Sequence, residues 1–199
     1  MFITKIKKCR KSQSSIYIDG EYFAQIDNDM LYLSNLKEGS EVDDRSLSAL
    51  LQKSGEKRAK EKAFYILEHR SHSKKELIDK LKREYSEEVA TKTAEKMQSL
   101  GLIDDNSFAK KYVEELLFTK HFSKNRAKYE LVRKGIEKEI AEDLIDSFDV
   151  DEVEQIRLLV DKKYKMAYKD EKTKRRAIAF LQRYGYNFDD IRTVLANEE

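Results

Sequence analysis

The chain has 199 residues and 39% of them are charged, yet 40 Lys and Arg nearly balance 38 Asp and Glu, leaving a formal net charge of +2. Its apolar share of 40% suffices to fill cores and argues against disorder throughout. The single cysteine, Cys9, excludes an internal disulfide and a Cys-rich metal site, and no apolar run approaches a membrane span or a signal-peptide core. A cytoplasmic protein without membrane contact is expected.

The first elements read as strands. Residues 15–18 and 21–26 flank Asp19-Gly20, a two-residue loop suited to positive φ at both positions and hence to a hairpin. Ile16 and Ile18 are expected on one face, as are Tyr22, Ala24 and Ile26, with further strands at 2–6 and 30–33. From Val42 the apolar period becomes helical: Leu47, Leu50 and Leu51 predict a short helix, followed by a basic segment and a longer helix over 57–69.

The rest of the chain repeats. Placing SKNRAKYELVRKGI from Ser123 over TKRRAIAFLQRYGY from Thr173 pairs Ala127 with Ala177, Leu131 with Leu181 and Gly135 with Gly185, at a constant offset of 50. A third copy, SKKELIDKLKREYS, begins at Ser73. Each copy is the middle helix of a three-helix module. The helices are predicted at 57–69, 74–83 and 87–100, then 106–119, 124–134 and 138–147, then 152–164, 174–184 and 188–196.

The expected architecture is therefore mainly α: an N-terminal β-hairpin unit and linker (1–50), then modules at 51–103, 104–149 and 150–199, stacked as an elongated, curved array. With no proline in the chain, the helices must end by other means. Gly101, Gly135 and Gly185 fit left-handed stops that fold Leu102, Ile136 and Tyr186 back on Met97, Leu131 and Leu181. Ser73 with Glu76 fits a capping box, Asn187 with Asp190 is a weaker case, and Asp104-Asp105, ahead of Phe108, is placed to cap the helix that follows.

Nothing in the sequence singles out an enzyme, a cofactor site or a metal site. His69, His72 and His121 are scattered, and the phosphate-loop, dinucleotide and zinc-protease signatures are absent. The charge pattern is more informative. Residues 162–176 hold eight basic and two acidic side chains, whereas 137–154 hold nine acids against Lys138. Lys124, Arg126, Lys128, Arg133 and Lys134 lie largely off the apolar stripe of one middle helix, and Lys172, Lys174, Arg175, Arg176 and Arg183 play the same part in the next. Such faces fit phosphates or an acidic protein groove, while the plain alternative is a solvated, mixed-charge surface. Lys and Arg without a row of Asn or Gln favour contacts that position a nucleic acid rather than read it.

The motifs HSKKELIDKL (72–81), LGLIDDNSFAKKYV (100–113), FSKNRAKYELVRKGI (122–136) and FLQRYGYNFDDIRTVL (180–195) resemble, in that order, the bacterial RecX regulatory proteins. The pattern is carried by Ser73, Glu76, Leu77 and Leu81, by Gly101, Asp104, Asp105, Phe108 and Ala109, by Ser123, Leu131, Gly135 and Ile136, and by Phe180, Leu181, Gly185, Tyr186 and Ile191. The strand-rich start looks like the extension found in some members. The departure is Asn125-Arg126, where many relatives place a small or apolar residue before a basic one.

The resemblance implies a non-enzymatic, monomeric regulator of the RecA recombinase in DNA repair, recombination and the SOS response. It would lie in the groove of the RecA filament on single-stranded DNA, limit its growth and suppress ATP hydrolysis and strand exchange, while binding single-stranded DNA weakly by itself. The alternative is a helical module that binds DNA without sequence preference and acts without RecA.

Overall fold

Asp19 and Gly20 take φ of 49° and 90°, so their loop turns with the twist of the strands that it joins. In the computed structural model, which describes residues 1–9 and 12–196, the strands β1 (Ile3–Lys8), β2 (Gln13–Ile18) and β3 (Glu21–Asp27) form an antiparallel meander in that order. Ile16 pairs with Ala24 and Ile18 with Glu21, but the register shifts between Ile16 and Tyr17, so Tyr17 pairs with Tyr22. Tyr22 therefore does not share the face of Ala24 and Ile26 as strict alternation predicts. It is 58% exposed, its ring edge-on to Tyr17 at 5.9 Å, while Ile16 and Ile26 are buried.

Residues 30–33, expected as a strand, instead belong to α1 (Asn28–Leu33), because Asp27 ends β3 and accepts the Asp29 amide as an N-cap. The short helix around Leu47 and the longer one ending at His69 are one continuous helix, α2 (Asp44–His69), which crosses the expected limit at residue 50. Tertiary contacts explain the continuity. Ser54, in mid-helix, accepts the Asp27 amide at 2.9 Å instead of competing for its own backbone. The Lys57 ammonium reaches Asp27 at 2.7 Å and also pairs with Asp29; these hydrogen bonds hold its pKa above the ordinary lysine value. The first half of α2 thus closes the sheet core of Ile3, Ile16, Ile18, Ile26, Leu31, Val42, Leu47 and Leu50. Its second half contributes Ala63 to a core with α3 (Lys74–Leu81) and α4 (Glu87–Ser99).

The chain groups into two compact units, Met1–Ser71 with Leu77–Ile103, and His72–Glu76 with the chain from Asp104 onward. In the second, α5 (Asp105–Glu114) ends in a π-turn over Glu115–Thr119 and is followed by α6 (Lys124–Arg133) and α7 (Lys138–Asp146), around a core that includes Phe108, Val113, Leu117, Leu131 and Ile145. Then come α8 (Glu152–Lys163), α9 (Glu171–Arg183) and α10 (Phe188–Ala196), around Ile156, Leu159, Phe180, Leu181, Tyr186 and Leu195. The fold is mainly α, three three-helix modules following a small sheet. α9 starts one turn earlier than predicted, because Asp170 is its N-cap and accepts the Thr173 amide.

Gly101, Gly135 and Gly185 have φ of 73°, 89° and 91°. The amides of Leu102, Ile136 and Tyr186 reach back to the carbonyls of Met97, Leu131 and Leu181 at 3.0, 3.2 and 3.2 Å, the expected left-handed stop. Two of these stops also press on a neighbour. At the end of α6, the Lys134 carbonyl accepts the Ser73 hydroxyl at 2.6 Å, while Ser73 Oγ caps the Glu76 amide at 3.1 Å. At the end of α9, the Tyr184 carbonyl accepts the Ser123 amide at 3.0 Å, and Ser123 Oγ caps the Arg126 amide at 3.1 Å. Each middle helix of the second unit thus ends on the first turn of the preceding one, with opposite dipole ends in contact.

The paired acids serve this junction. Asp104 caps its own helix α5 through the Asn106 and Ser107 amides, but Asp105 does not: it accepts the Lys74 amide at 2.8 Å, at the start of α3. One module on, Asp151 caps α8 while Glu152 accepts the Lys124 amide at the start of α6.

A methyl group on Gly101 meets open space, whereas one on Gly135 lies 2.5 Å from Lys75 Cβ, and one on Gly185 lies 2.5 Å from both Arg126 Cβ and Ser123 Oγ. Gly101→Ala is therefore expected to cost only the backbone penalty, roughly 1–2 kcal/mol. Gly135→Ala and Gly185→Ala should lose roughly 1–3 kcal/mol more through overpacking, as read by denaturant unfolding. Equal losses at all three sites would show that the junctions are not close-packed.

Hydrogen bonds from Ser107 hold the Asp104 carboxyl below its ordinary value of 3.8, and bonds from Thr173 do the same for Asp170. A depressed folded-state pKa stabilises the fold fully above the unfolded value and is lost as pH falls through the folded one. Urea midpoints measured from neutral to strongly acidic pH should fall less steeply for Asp104→Asn, which keeps an acceptor but does not titrate, than for the parent chain.

Candidate interaction surface

The two basic middle helices share a backbone plan and differ in what their cations face. In α6, Glu130 is only 7% exposed and sits between Arg126 and Arg133, at 2.7 and 3.3 Å. Lys128 pairs with Glu142, and Lys134 with Glu76 at 3.0 Å. Of the five α6 residues named from sequence, only Lys124 has a side chain without an ion pair among the described residues, and it is half-buried.

At the offset of 50, Arg126 and Arg133 become Arg176 and Arg183, but Glu130 becomes Phe180. The Lys128–Glu142 pair becomes Ile178 and Arg192, and the Lys134–Glu76 pair becomes Tyr184 and Arg126. Each carboxylate that neutralises α6 is thus replaced in its counterpart. Lys172, Lys174, Arg176 and Arg183 form no ion pair among the described residues. Arg175 has one partner, Glu171 at 3.4 Å, with the side chains 78% and 70% exposed, a pair that water and salt largely screen.

Arg176 and Arg183 are seven residues and so about 10 Å apart along the helix. Together with Tyr164, Ala179 and Gln182 they line an open groove of about 580 Å³. Beside it the Lys163 ammonium lies over the rings of Phe180 and Tyr184, at 4.6 and 5.7 Å. Arg126 is turned toward Phe122 and Tyr129, at 5.7 and 5.4 Å, and Phe122 meets Tyr184 edge-on at 5.1 Å. Tyr129 is 56% exposed. The structure thus places aromatic rings among the cations. From the sequence, Tyr164 is not singled out, Lys163 counts only within the basic run 162–176 and Gln182 only as an isolated amide, although the Arg-Glu-Arg spacing of α6 and its loss in α9 are visible in the sequence.

Other sequence-marked residues serve the scaffold. Phe108 is buried and stacks on Tyr112 at 5.5 Å. Tyr186 is buried with one backbone and one side-chain acceptor at its hydroxyl, which lies 2.8 Å from both the His121 carbonyl and Gln155 Oε1, while Gln155 Nε2 donates to the Leu117 carbonyl at 2.9 Å. Burial, and then the charge of Glu152, push the Tyr186 hydroxyl well above its ordinary value, so it remains a donor. Among the described residues no group of three or more His, Cys, Asp or Glu is arranged to hold a metal, and no helix is long and apolar enough to cross a membrane.

Family models match the chain in four consecutive parts: the regulatory protein RecX N-terminal domain over residues 1–43, and the first, second and third three-helix domains of RecX over 59–97, 104–145 and 149–195. Regulatory protein RecX of Caldanaerobacter subterraneus subsp. tengcongensis is 32% identical over 98% of this chain and 98% of its own. That of Clostridioides difficile is 31% identical over 97% and 93%. A crystal structure of regulatory protein RecX covers 99% of both chains with a TM-score of 0.62 at 22% identity, a likeness of fold. RecX from Lactobacillus salivarius covers 71% of this chain and 95% of its own, with a TM-score of 0.57 at 25% identity. With its strand-rich start and all three helical modules accounted for, the chain belongs to the RecX family of regulatory proteins.

Proposed function

We propose that this protein regulates the RecA recombinase without enzymatic chemistry, by binding RecA filaments on single-stranded DNA and limiting their growth, ATP hydrolysis and strand exchange. Membership of the family supports a regulatory role. The observation that carries the reading further is the set of α9 cations without an ion pair among the described residues, which gives one module a face able to hold phosphates or carboxylates without first breaking internal ion pairs. Contacts repeated along a filament add through effective concentration, so individually weak sites suffice.

Preformed RecA filaments supply the test, with ATP turnover followed as the protein is titrated in the presence of free DNA beyond what it can coat. Inhibition that persists, at amounts below one per RecA subunit, is the expected result. Inhibition that vanishes under excess DNA would mean simple competition for DNA and would sink the filament reading.

Arg176→Gln/Arg183→Gln should need several-fold more protein for the same inhibition, whereas Arg133→Gln, removing a cation already paired with Glu130, should change it little. If the groove holds phosphates of the single strand, each lost contact lowers the logarithmic salt slope by about 0.7. Equal effects at the two helices would show that internal pairing does not decide which cations are available.

A further inference from the structure

Between α9 and α10 the third module has a second recess, separate from the groove of Arg176 and Arg183. It encloses about 360 Å³ and is lined by Lys174, Ile178, Phe188, Ile191, Arg192, Leu195 and Ala196. Ile191 and Leu195 form a buried floor, while Phe188 is 53% exposed. Lys174 and Arg192, on the two helices that border the recess, have no ion pair among the described residues. Its size falls within the range of roughly 300–1,000 Å³ typical of ligand pockets.

The repeat shows what this place looks like when it is closed. In the second module the same positions hold Lys124, Lys128, Lys138, Ala141, Glu142, Ile145 and Asp146. There Lys128 bonds to Glu142 across α6 and α7, so the site is filled by a pair that satisfies itself. In the third module Ile178 and Arg192 stand instead, and Phe188 replaces Lys138. One substitution removes a polar bridge, another adds apolar surface, and a carboxylate becomes a cation. An exposed apolar recess with two positive charges at its rim, neither in an ion pair among the described residues, is unfavourable in water alone, and its complement is an apolar group carried between negative ones.

We propose that this recess docks a peptide segment of a partner protein, in which one bulky apolar side chain inserts over Ile191 and Leu195 while flanking carboxylates meet Lys174 and Arg192. A nucleic acid fits less well, because the wall is apolar and offers few hydrogen bonds to a base edge. The proposal shares only Lys174 with the basic face and needs neither RecA nor DNA for its test, so its failure leaves the filament reading standing.

The probe is a synthetic acidic decapeptide with a single central Phe among Asp and Glu, titrated into the full-length, isotope-labelled protein and followed by amide chemical shifts. The expected result is saturable shifts at Ile178, Phe188, Arg192 and Leu195, with affinity lowered roughly tenfold or more when the peptide Phe is replaced by Ala. Ile178→Lys/Arg192→Glu transplants the second module's ion pair into the third. It should keep its helix content by circular dichroism and lose peptide binding, and the milder Lys174→Gln/Arg192→Gln should weaken binding with the recess left open. Binding unchanged by these variants, an Ala peptide that binds as well as the Phe peptide, or no binding at all would overturn the proposal. Stronger shifts of the same residues by an oligothymidylate would assign the recess to nucleic acid instead, and concentration-dependent shifts without peptide, removed by the transplanted pair, would assign it to a second copy of the chain.

Discussion

The second unit depends on the approach of Gly135 to Lys75 and of Gly185 to Arg126, close enough to exclude a Cβ. A helix end has unpaired carbonyls and a helix start has unpaired amides, so the two attract, but ordinary side chains keep them apart. A glycine removes that obstacle at the position where the chain must also turn with positive φ. The serine of the preceding helix then meets the arriving end from its own cap, through its hydroxyl at Ser73 and through its amide at Ser123. Asp105 and Glu152 bring a carboxylate from the following module to the same first turn. Position, capping and charge therefore converge on one contact, which recurs with the repeat.

Much of this is legible in sequence because backbone demands leave few choices. The constant offset, the glycine stops and the Asp19-Gly20 loop each report a local conformation that only certain residues adopt. What sequence reasoning misread was decided by distant contacts. Residues 30–33 have strand-like composition but follow the N-cap Asp27, and α2 runs through Ser54 and Gly55 because Asp27 and Asp29 engage Ser54 and Lys57 from outside the helix. Asp105 looked like part of its own helix cap and serves another helix, a destination that no local pattern encodes. The bulge that turns Tyr22 outward likewise depends on cross-strand register rather than on alternation.

The candidate surface was legible as composition and illegible as availability. Counting cations gave α6 and α9 equal standing, yet a cation held by a largely buried carboxylate such as Glu130 must give up that partner before it can bind another anion. An exposed cation without a partner has only water and salt to exchange. The offset of 50 makes the difference readable once the pairs are known, because the counterpart of each carboxylate that pairs with an α6 cation is an aromatic or a basic residue.

Repetition therefore separates two sets of constraints within one chain. Positions that form the junction, Ser73 and Ser123 or Gly135 and Gly185, are held alike by geometry, since a change at one would force the neighbouring helix to move. Positions off the junction are free to diverge, and their divergence follows a direction: the second module's cations meet its own Glu130 and Glu142 and, from the module before it, Glu76, whereas the counterparts of these acids are Phe180 and Arg192 in the third module and Arg126 in the second. On the proposed reading, ion pairs kept inside a module leave it indifferent to polyanions, and their removal makes an otherwise similar module responsive to them. A nearly neutral chain can thus carry a reactive cationic face without excess charge, because what matters to a partner is which charges are already satisfied.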